Sequence, residues 1–231
     1  MADVTETLPQ GEEKSRRVRA MFDSIADRYD LVNRIMTLGL DVGWRRTAVA
    51  ELRLAGGSRV ADLACGTGDL CRELSAAGYS PVGFDFSTGM LRRATVSAPL
   101  VAADVLRLPL GDASVEGATC GFAMRNVADL DALFVETARV VRPAGRVVFL
   151  DASRPENALA RAGHAVYFGR VVPLIGGALS DADAYRYLPR SLAYLPEPAR
   201  LLEMLAAAGF ADVRRRALGA GAAQLLIGTR G

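Results

Sequence analysis

Residues 59–69 read Arg-Val-Ala-Asp-Leu-Ala-Cys-Gly-Thr-Gly-Asp, a short apolar run that meets two glycines and then a helix start. Glycines at such a turn let backbone N–H groups approach a polar or anionic ligand that side chains would otherwise block. Alone, Gly66-x-Gly68 specifies only a tight strand-to-helix turn. The sequence after it limits the fold further. Residues 81–85, 100–103, 115–121 and 146–152 are further short apolar runs, and the intervening segments 69–77, 87–96 and 130–141 have helical periodicity. Strands alternating with helices predict an α/β fold with a parallel sheet covered on both faces. Unbroken apolar strands such as Val147-Val148-Phe149-Leu150 agree, because a strand buried on both sides shows no alternation.

Helical periodicity also precedes the first strand, over residues 16–52. Val18, Met21, Phe22 and Ile25, then Leu31, Ile35 and Met36, recur at three- and four-residue steps. Gly39 and Gly43 punctuate this run, and a further helix is expected from Trp44 to Leu52. Residues 1–15 read as a flexible tail, and 16–231 as one domain with residues 16–55 forming a helical cap. Residues 155–195 are an insertion rich in Ala, Gly, Tyr and Arg, expected to be helical with breaks at Pro173 and Gly176-Gly177 and to cover the substrate. A helix over 198–208 stops at Gly209, a suitable C-cap. A strand–turn–strand over 212–218 and 222–229 ends the chain.

Several classes of function are excluded or disfavoured. The net charge of +2 gives no global basic field, and aromatics are only 6%, so a nucleic-acid surface is not expected. Cys65, Cys71 and Cys120 include no C-x-x-C pair, which argues against a disulfide framework or a zinc site and suits a reducing cytoplasm. No metal is expected. No apolar run approaches the ~20 residues that span a bilayer. The acidic, polar segment 1–14 is not a signal peptide.

The acidic residues narrow the ligand. Asp85 ends the second strand roughly 20 residues beyond the glycine turn, where a carboxylate accepts hydrogen bonds from ribose hydroxyls. Asp104 ends the third strand, where its carboxylate is placed for an exocyclic amine while Val105 packs on an adenine ring. A dinucleotide fingerprint requires a third glycine, but Cys71 stands there, and no G-K-[ST] follows the loop. Asp69 would repel a pyrophosphate. A cationic sulfonium cofactor carrying an amino acid matches Asp62 and Asp69 better.

The run Val60-Ala61-Asp62-Leu63-Ala64-Cys65-Gly66-Thr67-Gly68 resembles the first motif of class I methyltransferases. From about Val18 to its end the chain further resembles the ubiquinone/menaquinone biosynthesis C-methyltransferases. The likeness is carried by Met21-Phe22-Asp23-Ser24-Ile25-Ala26 with Tyr29-Asp30 and Asn33, by Gly39-Leu40 through Trp44-Arg45, and by Met124-Arg125-Asn126-Val127. The most specific stretch is Asp181-Ala182-Asp183-Ala184-Tyr185-Arg186-Tyr187-Leu188. The resemblance implies a Rossmann-like, mostly parallel seven-stranded sheet whose last strand is antiparallel. It also implies S-adenosyl-L-methionine as cofactor, held at Gly66, Thr67, Gly68, Asp85, Asp104 and Val105. The implied reaction is C-methylation of a demethylated, lipophilic quinol, most simply demethylmenaquinol to menaquinol. The chain departs from the family pattern at Val32, Thr37, Asp41, Ala144 and Asp151, and Gly121 stands where a serine often contributes to the cofactor site. These departures leave open a related enzyme acting on a phenolic or polyketide substrate.

Methyl transfer to carbon needs alignment, exclusion of water and an acceptor made electron-rich by loss of a hydroxyl proton. Arg125, after the fourth strand, is a candidate to stabilise oxyanion charge, with a surface ion pair to Asp129 as the alternative. Asp151, ending the fifth strand, is a candidate base, with anchoring of the insertion as the alternative. Asn126 would orient substrate or cap the next helix. Tyr185 and Tyr187 would line the pocket or pack in the core. His164, the sole histidine, lies outside every motif. The apolar segment 168–179, with Arg16, Arg17, Arg19 and Arg214–Arg216, would either be core and solvated surface or make peripheral contact with the inner face of a membrane. A homodimer is also left open.

Overall fold

The structure, a computed structural model, describes residues 11–26, 29–155, 157 and 191–231. Among these, the strands β1 (Arg59–Leu63), β2 (Ser80–Asp85), β3 (Leu100–Ala102), β4 (Val115–Gly121), β5 (Val141–Ala152), β6 (Phe210–Leu218) and β7 (Ala223–Arg230) form a seven-stranded sheet in the order β3-β2-β1-β4-β5-β7-β6. Strands β1 to β5 pair in parallel, and β7 runs antiparallel between β5 and β6. This is the expected Rossmann-like sheet with its last strand reversed.

The alternation within β5 shows why the strand is apolar throughout. Val147 and Phe149 face one side, where they join Leu133 and Phe134 of α6 (Leu130–Val140) and Leu201 and Leu205 of α7 (Pro198–Ala207). Val148 and Leu150 face the other side, against Ala48, Val49 and Leu52 of α3 (Leu40–Leu52) and Leu70 and Leu74 of α4 (Asp69–Ala76). Successive side chains point to opposite faces, so a strand with helices on both sides must be apolar at every position. A short helix, α5 (Thr88–Arg93), joins β2 to β3, and helix α6 is started by Asp129, whose carboxylate accepts the Ala132 N–H at 2.9 Å.

The cap differs in detail from expectation. Helix α1 (Gly11–Ile25) already includes residues 11–15, ahead of the Arg16 inferred from periodicity, and Lys14, Val18 and Ile25 form its buried stripe. The start was missed because one of the three buried positions is a lysine. Helix α2 (Tyr29–Met36) is followed by a turn at residues 37–39, where Leu38 and Gly39 hold left-handed backbone at φ 52° and 75°, before α3 begins. Gly43 lies inside α3, so that helix starts at Leu40 and not at Trp44. The inferred insertion falls mostly at residues 158–190. His164, the 168–179 segment, Pro173, Gly176-Gly177, Tyr185 and Tyr187 thus lie outside the described residues.

Chain connections leave β1 toward β2 and β3 on one side and reach β4 on the other. A crevice opens at the C-terminal ends of β1 and β4, where the direction of winding reverses.

Candidate active site

A cavity of about 740 Å³, including its open mouth, occupies that crevice. Its walls come from four strand ends and from α1: Ala64 and Gly66 after β1, Asp85 and Phe86 at β2, Ala103 to Leu106 after β3, Gly121 to Ala123 after β4, and Ser15, Val18 and Phe22 of the cap. Asn126 and Val127 close the far side. Residues that are far apart in sequence meet here because parallel strands all deliver their C-terminal loops to one edge.

Asp85 is fixed by the backbone. One carboxylate oxygen accepts the Gly66 N–H at 2.8 Å and the other the Ser87 N–H at 2.8 Å. Burial pushes its carboxyl above the ordinary carboxylate range, against the lowering effect of these two amides. The glycine turn is thus tied to the tip of β2 before any ligand arrives. Asp104 accepts the Leu106 N–H at 2.9 Å and shares the cavity wall with Val105 and Met90. Two carboxylates and the apolar side chains of Met90 and Val105 on one cavity wall suit a ribose diol and a flat base.

Gly66, Asp85, Asp104 and Val105 therefore come together around one cavity. Thr67 lines a smaller cavity on the other side of the turn, beside Arg45, Asp62, Asp69 and Phe122. The two cavities share Ala64, Gly66, Gly121 and Phe122. Gly68 lines neither of them. Its role is conformational, because its φ is 86° and a Cβ there would meet Val96 at 2.8 Å. Ala64 and Phe122, the residues just past β1 and β4, also hold left-handed backbone at φ 52° and 58°. Such strain costs on the order of 1–3 kcal/mol per residue, and both residues lie on the shared wall of the two cavities.

The two acidic residues invoked for a cationic ligand are already engaged. Asp62 is fully buried, accepts the Thr119 hydroxyl at 2.9 Å and the Cys71 thiol at 3.3 Å, and burial pushes its carboxyl up to about 7. Asp69 is paired with Arg72 at 2.6 Å and Arg45 at 3.3 Å. Neither residue presents a simple negative charge. Cys71 takes the third-glycine position because its thiol supports Asp62 from α4. All three cysteines are free thiols, with Cys71 and Cys120 buried.

Arg125 and Asp151 are near neighbours, but they are not on the cavity wall. The Arg125 guanidinium pairs with the Asp151 carboxylate, which also accepts the Arg125 backbone N–H at 3.1 Å, and the Arg125 Nε donates to the Ser191 hydroxyl at 3.1 Å. Both residues are buried. The alternative of a surface pair with Asp129 does not occur, since Asp129 caps α6. Asn126, the next residue, is the one that reaches the cavity.

Three residues without a role inferred from sequence prove to organise the site. The Asp23 carboxylate of α1 accepts the Ser87 hydroxyl at 2.5 Å and the Gly89 N–H at 3.1 Å. Lys14 donates to the Val127 carbonyl at 2.7 Å and lies 3.9 Å from the Tyr194 ring centroid, with burial pushing its amine down to about 8. Arg45 of α3 is buried against Asp41, Asp69 and the Phe122 ring. Asp23 and Arg45 lie in motifs visible in the sequence, but their partners are distant and only the fold supplies them. In the basic run of β6, Arg214 and Arg216 pair with Glu51 at 2.5 and 2.8 Å, while Arg215 bonds Gln224 and Ser153. Among the described residues no helix is long and apolar enough to cross a membrane.

Sheet order, glycine turn and strand-end carboxylates together define a class I methyltransferase fold. It is similar to that of an S-adenosylmethionine-dependent methyltransferase from Thermotoga maritima, with a TM-score of 0.66 and 18% identity over 93% of this chain and 100% of that one. The chain belongs to the ubiE/COQ5 methyltransferase family, which matches residues 10–230. It is 43% identical to the demethylmenaquinone methyltransferase of Roseiflexus castenholzii, covering 98% of each chain. It is 39% identical to the ubiquinone/menaquinone biosynthesis C-methyltransferase UbiE of a Geobacter species, covering 94% of this chain and 98% of that one.

Proposed function

We propose that the protein transfers a methyl group from S-adenosylmethionine to a ring carbon of a demethylated menaquinol. The observation that carries this reading is the near-complete alignment with demethylmenaquinone methyltransferases at 43% identity. The donor set at the crevice fits the cofactor chemically. Asp85 takes the ribose diol, Asp104 the exocyclic amine, and Val105 with Met90 the faces of the adenine. The Gly66–Thr67–Gly68 turn takes the remainder of the molecule. At position 121 a Cβ would lie 2.6 Å from a Leu70 methyl, so the glycine keeps that wall flat where the two cavities meet.

When bound, the cofactor would supply an electrophilic sulfonium methyl, held by Gly66, Thr67, Asp85, Asp104 and Val105. The chain's own contribution is alignment and exclusion of water. Val18 and Phe22 of α1 give the large cavity an apolar side suited to a ring bearing a prenyl tail. Arg125 and Asp151 act on the acceptor side as a buried pair. They hold the Met124–Asn126 turn so that Asn126 faces the ring hydroxyl.

Incubation with methyl-labelled S-adenosylmethionine and a reduced demethylated naphthoquinol tests the reading, with label expected on the ring carbon. Turnover of polar phenols without turnover of any prenylated naphthoquinol overturns the substrate. Failure to bind S-adenosylhomocysteine overturns the cofactor.

A further inference from the structure

Helix α1 runs along the large cavity and is fastened at both ends. Ser15, Val18 and Phe22 recur at helical spacing on one face of α1, and all three line the cavity. Near its start, Lys14 donates to the Val127 carbonyl at 2.7 Å, with its amine 3.9 Å from the Tyr194 ring centroid. Near its end, the Asp23 carboxylate accepts the Ser87 hydroxyl at 2.5 Å and the Gly89 N–H at 3.1 Å. Gly89 permits this close approach of α1 to α5. A Cβ there would stand 2.7 Å from an Asp23 carboxylate oxygen and 3.2 Å from the Asp23 Cα.

The helix has little share in the core. Among the described residues, none from α1 belongs to either of the two apolar clusters that pack the faces of the sheet. Its inward face covers the cavity instead, so a molecule in the cavity gives α1 packing that the core does not. An element with few core contacts, held by hydrogen bonds at its ends, opens at far lower cost than the whole fold. The two fastenings also stand on different sides of the cavity. Ser87, held by Asp23, donates its own N–H to Asp85 and accepts the Met90 N–H, so this end lies on the nucleoside side. Val127, held by Lys14, follows Asn126 on the far side.

We infer that α1 is a lid over the cofactor site, fastened by Lys14 and Asp23, and that its unfastening governs entry of S-adenosylmethionine and departure of the product thioether. This step rests on the S-adenosylmethionine reading above. Neither Lys14 nor Asp23 lines the large cavity, so both act on exchange through the helix and not by touching the ligand. A fastening made by the chain alone is common to the free and the bound protein, and losing it eases opening equally in both.

Stopped-flow binding of S-adenosylhomocysteine to the full chain tests this without any turnover. Lys14→Met keeps an unbranched side chain and loses the hydrogen bond to Val127, and Asp23→Ala loses the other fastening. In each variant the association and dissociation rate constants rise together by roughly 3- to 10-fold, as expected for one lost hydrogen bond, and Kd stays within about threefold. A residue that merely supports the site raises the dissociation rate constant alone and weakens Kd to match. That result overturns the proposal, as do unchanged rates in both variants. Hydrogen exchange on the unaltered protein gives a second comparison that no folding defect can cloud. Saturating S-adenosylhomocysteine slows exchange over residues 11–25 by about tenfold or more. Binding with no change in that segment overturns the lid while the cofactor reading stands. Absence of binding overturns both.

Discussion

Arg125 and Asp151 meet across the ends of β4 and β5 in a buried pair that is closed by the Arg125 backbone N–H, at 3.1 Å from the same carboxylate. Removing one member leaves the other charged and without its partner in a low-dielectric site, which typically costs about 3–5 kcal/mol, whereas replacing both by apolar groups is often close to neutral. Asp151→Ala is therefore expected to lower unfolding free energy by about that amount, and Arg125→Met with Asp151→Leu by much less than the sum of the single changes. Urea denaturation of the three variants checks this. Strict additivity would mean the pair is not the unit of stability.

Asp62 makes the fold sensitive to pH. Its carboxyl is raised from an ordinary 3.8 to about 7, chiefly by complete burial. The folded state therefore holds this proton more tightly than the unfolded state. Stability from the group is fully present below the unfolded pKa and is lost as pH rises through the folded one, between about 4 and 7. At roughly 1.4 kcal/mol per pKa unit the loss is a few kcal/mol. Asp62→Asn keeps the shape and never ionises. The variant should gain on wild type steadily as pH rises from about 4 to 8, read as the difference in urea midpoints. A constant difference across that range would mean Asp62 ionises in the fold as easily as in the unfolded chain.

The sheet was readable because burial on both faces forces apolar strands, and Val147–Leu150 announces it without further context. The glycine turn, Asp85 and Asp104 were readable because strand ends in a parallel sheet face one crevice by topology alone. Side-chain partnerships were not. Asp62 and Asp69 look like available negative charge in the sequence, yet Thr119 of β4 and Cys71 of α4 occupy the first, and Arg45 of α3 with Arg72 one turn along α4 the second. Arg125 and Asp151 look like separate active-site groups and are each other's partner. The early start of α1 was hidden because Lys14 fills a buried position, its amine lying over the Tyr194 ring and bonded to the Val127 carbonyl.

Asp23 ties the cap to the cofactor loop. Its carboxylate accepts from Ser87 and Gly89, while the Ser87 N–H holds Asp85 and the Ser87 hydroxyl accepts the Met90 N–H at 3.1 Å. Asp23→Ala removes a helix-capping acceptor and should cost about 0.5–2 kcal/mol. Ser87→Ala should cost a similar amount, and the double variant less than the sum, because both act through one hydrogen bond. Hydrogen exchange over residues 11–25 should quicken in either variant. Unchanged exchange there would mean α1 is held by its apolar stripe alone.

Asp85 offers the most direct test of where the ribose lies. Its oxygens are positioned by the Gly66 and Ser87 amides at 2.8 Å each, so the carboxylate keeps lone pairs for a diol without having to reorganise on binding. Asp85→Ala should weaken S-adenosylhomocysteine by roughly 1–3 kcal/mol through lost charge-assisted hydrogen bonds. Asp85→Asn, which keeps the size but halves the acceptor capacity, should fall between the variant and wild type. The loss should be equal for S-adenosylhomocysteine and 5′-methylthioadenosine, since both carry the ribose. Affinity by calorimetry that is unchanged in both Asp85 variants would place the ribose elsewhere in the crevice.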